Sequence, residues 1–215
     1  MIILAIHTAG PACDLAVLRD GAVIARCEEA MIRGQDARLP QLVQDVLAEA
    51  RLGLDQVDRF AVVTGPGSFT GIRVGVAFAR GLALATKKPC IGVTSMEAAL
   101  PAGQQGSAIV ALPARKRAPD ITFWTQTFRT GSATGPASEM ALEDLITLLK
   151  DRPHMVYGES AALEPHLPGT PIHSAAPYSV RAGQVAATLD PELRTARPTY
   201  ARAPDAALPK ATPGK

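Results

Sequence analysis

The chain has 215 residues, of which 47% are hydrophobic and 20% charged, and a formal net charge of +2. This is enough apolar material for one large packed domain or two small ones, and the near-neutral balance argues against a protein that binds nucleic acid through its own basic field. Three scattered cysteines, Cys13, Cys27 and Cys90, form no CxxC pair, which argues against a disulfide framework or structural zinc and fits a reducing cytoplasm.

From the start, the apolar β-branched run Ile2 to Ile6, then Leu15 to Leu18, then Ala22 to Ala25 after Asp20-Gly21, reads as a three-stranded meander. Leu39, Leu42, Val43, Val46, Leu47 and Ala50 follow at helical spacing, with Pro40 expected in the first turn. Phe60 to Val63 is a buried-type strand, and the loop Gly65 to Gly71 leads into a helix from about Ile72 to Thr86 and a strand from Pro89 to Val93. No apolar run is expected to reach the roughly 18 residues of a membrane helix, and Met1-Ile2-Ile3-Leu4 lacks the charged lead of a signal peptide. Strands at Ile109 to Leu112 and Ile121 to Phe128, a helix at Ala141 to Leu149, a strand at Met155 to Tyr157 and a helix at Val180 to Leu189 make up a weaker second half. Prolines 191, 198, 204, 209 and 213 break the remainder. The division expected is a first lobe over 1–100, a smaller one over 101–202 and a disordered tail over 203–215. The order βββαβαβ is that of an α/β lobe of the actin-like ATPase (ASKHA, ribonuclease-H-like) fold, here with the second lobe reduced.

Chemistry is hard to assemble from these residues. The loop Gly65-Pro66-Gly67-Ser68-Phe69-Thr70-Gly71 precedes a helix N-terminus but has no Walker lysine, so its glycines read as a tight turn with Ser68 or Thr70 capping the helix. The four histidines, His7, His154, His166 and His173, never stand three to five apart, so no helical metal-binding pair exists. Ser68 lacks the GxSxG order of a hydrolase elbow, and Cys13 and Cys27 read as small buried apolar residues. The helix Ile72 to Thr86 is apolar nearly all round apart from Arg73 and Arg80, and so needs cover on more than one side. Gly71, Gly75 and Ala79, four apart, make a smooth strip that either the helix Leu39 to Ala50 or a second subunit could approach.

The string Gly65 to Gly75, with Ile3-Leu4-Ala5-Ile6, Thr8-Ala9, Ile91-Gly92-Val93-Thr94-Ser95 and Pro198-Thr199-Tyr200-Ala201-Arg202-Ala203-Pro204, resembles the TsaB family, also called YeaZ. Pro113-Ala114-Arg115 stands where that family usually shows Asp-Ala-Arg, and His7 where its relatives commonly place an aspartate. In the wider fold that acid helps hold hydrated magnesium, for which imidazole is a poor ligand, so His7 is expected to be a strand-end histidine bonded to backbone. The resemblance implies a non-catalytic subunit with no cofactor of its own that binds the catalytic TsaD protein in forming N6-threonylcarbamoyladenosine at position 37 of ANN-decoding tRNAs. ATP would act on partner subunits. TsaE, TsaC and tRNA would complete the set, with a homodimer also possible. The expected interface is Leu39, Leu42, Val43, Val46, Gly71, Arg73, Val74, Gly75, Phe78, Ala79 and Leu82. An actin-like-fold phosphotransferase and a metallo-glycopeptidase are the rival readings.

Overall fold

The computed structural model describes residues 1–31, 33–115, 120–151, 154–173 and 177–200. The expected disordered tail over 203–215 lies outside them, as do residues 116–119.

Strands β1 (Ile2–His7), β2 (Ala12–Arg19) and β3 (Ala22–Ala30) form the antiparallel meander, and β4 (Arg59–Val63) and β5 (Cys90–Val93) extend it in parallel, giving the order β3-β2-β1-β4-β5. In β1 every residue from Ile3 to His7 is buried, so both faces of the sheet are covered. Helices α1 (Gln35–Glu49) and α2 (Phe69–Thr86) pack beside each other on this sheet. Pro40 is therefore the sixth residue of α1 rather than part of its first turn, because the helix starts four residues before its apolar stripe does. At 18 residues α2 also reaches the length and apolarity of a bilayer span, contrary to the expectation above. One side of it packs onto the sheet, and its open side carries Arg73 and Arg80.

After the short α3 (Ser95–Ala99), β6 (Ser107–Arg115) and β7 (Thr122–Arg129) pair antiparallel, followed by β8 (Ser132–Ala133) and β9 (Ser138–Ala141), both on β7. Beyond α4 (Leu142–Asp151), β10 (Met155–Gly158) pairs parallel with β6; α5 (Ser160–Leu163) then leads to β11 (Ile172–His173) on the far side of β10. Leu145 of α4 and Leu163 of α5 seal one face of this second sheet, while its other face, with Val110, Leu112 and Tyr157, packs on Met96 and Leu100 at α3. The two sheets with their helices are the two lobes of the actin-like α/β fold.

The chain then returns to the first lobe. Helix α6 (Tyr178–Thr188) packs on β1, β2 and β4, although the sequence groups it with the second lobe. Its N-terminus is held by Asp14, which accepts from the Ser179 N–H at 2.9 Å and the Ser179 hydroxyl at 2.7 Å, and from Arg26 Nε at 3.0 Å. Residues 194–199 next run along the edge strand β5: Gly92 N–H donates to the Arg194 carbonyl, Ile91 bridges Thr195, and Thr199 N–H donates to the Thr64 carbonyl at 2.8 Å. Arg194 also pairs with Glu97 of α3 at 2.7 Å.

Candidate functional site

The loop before α2 is built as a cap. Ser68 is the N-cap residue and its Oγ accepts from the Gly71 N–H at 3.2 Å, satisfying one of the donors that a helix start leaves open. Thr8, just after β1, lies against this turn, its hydroxyl donating to the Gly71 carbonyl at 2.7 Å. A Cβ at Gly71 would run into the Thr8 carbonyl oxygen, and one at Gly75 into the Thr8 hydroxyl. The glycines are there because another part of the same chain passes at backbone distance.

That placement corrects part of the expected interface. Gly71, Gly75 and Ala79 are buried against the chain itself, and Leu39, Leu42, Val43 and Val46 lie in the core beneath α1, so none of the seven faces outward. Val74, Phe78 and Leu82 are half-buried against that core, and of the expected residues Arg73 is the exposed one. The outward face of α2 instead runs through Arg73, Ala77, Arg80, Gly81, Leu84 and Ala85, with Leu84 82% exposed. At the start of this face Arg73 lies 3.8 Å above the Phe69 ring and donates through Nε to the Tyr200 hydroxyl at 2.9 Å, with the Phe69 and Tyr200 rings 5.3 Å apart. Two motif stretches far apart in the chain, with Arg73 and Tyr200 separated by 127 positions, thus meet in one aromatic-guanidinium cluster. Leu84 was missed from the sequence because a helix apolar all round does not say which side is open.

A cleft of about 850 Å3 lies between the lobes. Its walls are the strand ends and turns at His7, Gly10, Asp14 and Pro66 to Ser68, then Ser95, and across from them Leu112 to Ala114, Trp124, Glu159 and Tyr178. His7 is 6% exposed, its ring stacks on Tyr178 at 4.7 Å, and Nδ1 has no hydrogen-bond partner, so the backbone bond expected for it does not form. Ser95, 2% exposed, likewise leaves its hydroxyl unpartnered. Among the described residues no three His, Cys, Asp or Glu side chains converge as metal ligands, and His166 and His173 each lie against an aromatic ring, Phe123 and Tyr157.

Burial pulls the His7 pKa down to about 4, with the Asp14 charge opposing. A histidine held below its unfolded pKa gives full stability above that unfolded value and loses it progressively as pH falls toward the folded one. Unfolding free energy should therefore drop by on the order of a few kcal/mol between neutral pH and pH about 4. His7→Asn should flatten that slope, as measured by urea unfolding at stepped pH; an unchanged slope would show that another group drives it.

Residues 29–118 match the family model of TsaD, tRNA N6-adenosine threonylcarbamoyltransferase. Among curated proteins the chain is 43% identical over 96 residues to the tRNA threonylcarbamoyladenosine biosynthesis protein TsaB of Escherichia coli, covering 45% of this chain and 41% of that protein. The Haemophilus influenzae protein of the same name is 35% identical over 119 residues, covering 54% and 50%. The chain thus aligns with half or less of the length of these two relatives. Among solved structures it is similar to YeaZ from Pseudomonas aeruginosa, with a TM-score of 0.70 at 24% identity over 93% of this chain and 99% of that one, a likeness of fold.

Proposed function

We propose that this chain is a member of the TsaB (YeaZ) family, whose name its curated relatives carry, and that it is a non-catalytic partner subunit that binds TsaD in forming N6-threonylcarbamoyladenosine on tRNA. The observation that carries this reading is the open face of α2, where Leu84 projects between the small residues Ala77, Gly81 and Ala85. Such a surface suits close packing of a second helix. The stretch that matches the TsaD family model contains α1, α2 and β5, so two related lobes could pair helix to helix about a pseudo-twofold axis. The same face would serve a homodimer in the free protein, in competition with TsaD.

No cofactor is assigned to this chain in the proposal; ATP acts on the partner subunits, TsaE among them, and tRNA is met through the complex in the cytoplasm. His7 at the end of β1 supports the non-catalytic role, since a neutral buried imidazole supplies no charge to hold a hydrated divalent ion. The rival phosphotransferase and metallo-glycopeptidase readings lack a phosphate-binding lysine in the Gly65 to Gly71 loop and a histidine pair respectively. Light scattering of this chain mixed with purified TsaD tests the proposal. A complex of one copy of each is expected, at the expense of any homodimer, and two separate species at micromolar concentrations would overturn it.

A further inference from the structure

We propose that the cleft between the lobes binds a small organic cation: a protonated amine carried on a flat body with a hydrogen-bonding group. Three features of its lining converge on that class. The first is charge. Asp14, Arg26 and Glu28 are committed to each other, Arg26 bridging both carboxylates. Glu159 is not: it stands at the N-cap position of α5 without making a side-chain cap bond, and among the described residues no ion pair ties it down. Its carboxylate is close enough to Tyr178 that, after burial itself, its charge helps push the Tyr178 hydroxyl up.

The second feature is aromatic surface beside that charge. Trp124 from the second lobe and Tyr178, backed by the stacked His7 ring, both line the cleft. Aromatic faces next to a carboxylate attract ammonium groups, which gain from both the ring quadrupole and the anion. The third is a pair of unsatisfied polar atoms, His7 Nδ1 and Ser95 Oγ, on residues more than nine-tenths buried. A buried polar atom left without a partner is costly, and a small turn of either side chain toward the cleft would let a ligand hydroxyl or amide relieve it. The volume is within the range of small-molecule sites. A phosphate-bearing ligand fits less well, because Glu159 would repel it and the Gly65 to Gly71 loop offers no cation.

The chain contains one tryptophan, Trp124, so its emission reports on the cleft directly. The full-length protein would be titrated with tyramine and, in parallel, with 4-ethylphenol, which lacks only the ammonium group. Tyramine should change the emission saturably, and 4-ethylphenol should bind about tenfold more weakly, the worth of one charge-assisted hydrogen bond. Glu159→Gln should cost tyramine the same factor and leave 4-ethylphenol unaffected. Equal affinities of the two probes for the unsubstituted protein would overturn the proposal without recourse to any variant. So would the absence of saturation with tyramine, an unaltered tyramine affinity in Glu159→Gln, or saturation of the same signal by ATP with magnesium in place of tyramine.

Discussion

Gly75→Arg should yield a chain that does not fold, rather than a folded chain that fails to bind its partner. Position 75 is buried, and even a methyl group there would overlap the Thr8 hydroxyl. Thr8 has little room to retreat, since it is itself fully buried and its hydroxyl is bonded to the Gly71 carbonyl. Overpacking alone costs about 1–3 kcal/mol, and an unpaired guanidinium in the core adds several more. The sum is comparable to the whole stability of a domain this size, about 5–15 kcal/mol. A circular dichroism melt decides it: a cooperative transition near that of the unsubstituted protein would show that the strip of Gly71, Gly75 and Ala79 faces outward after all. Gly75→Ala should fall between the two, folded but with a lowered melting temperature.

Leu84→Glu is expected to do the opposite, leaving the fold intact and abolishing assembly. The side chain is 82% exposed in the free chain, so its replacement should shift stability by no more than about 0.5 kcal/mol. If the open face of α2 is the partner surface, Leu84 becomes buried in the complex, and its loss removes about 1.5–3 kcal/mol of apolar burial. A carboxylate put in its place must also be desolvated on assembly, at a further cost of several kcal/mol. Together these lower the affinity for TsaD by at least about two orders of magnitude. Sedimentation of the variant with TsaD measures this, and a Kd unchanged from that of the native chain would remove α2 from the interface. Arg80→Ala on the same face serves as a control with a smaller expected effect, because a rim charge alters the rate of association more than the affinity.

The secondary structure was legible in the sequence because burial on one side of an element writes its period into the chain. The meander β1 to β3, the stripe of α1 and the strands β4 and β5 all lie where apolar spacing and turn residues put them. The cap was legible as Ser68 or Thr70 for an equally local reason, and the structure gives it to Ser68, whose hydroxyl accepts from the N–H three residues on. The helix α2 was not legible in this way. It is apolar or small on every side, so period alone cannot say which side meets the sheet, and its smooth strip reads as well for a partner helix as for the chain itself. Only the tertiary structure decides, by bringing Thr8 across Gly71 and Gly75 and leaving Leu84 in the open. The return of α6 and residues 194–199 to the first lobe was hidden too, because it depends on Asp14 capping a helix 165 residues away. The cleft is the extreme case: His7, Ser95, Trp124, Glu159 and Tyr178 come from five separate elements and turns, and no spacing connects them. Sequence alone determined the local elements and the family resemblance, since both are carried by neighbouring residues. Which faces are open and which side chains share a site were decided by long-range packing, in which the competing surfaces of different elements must all be covered at once.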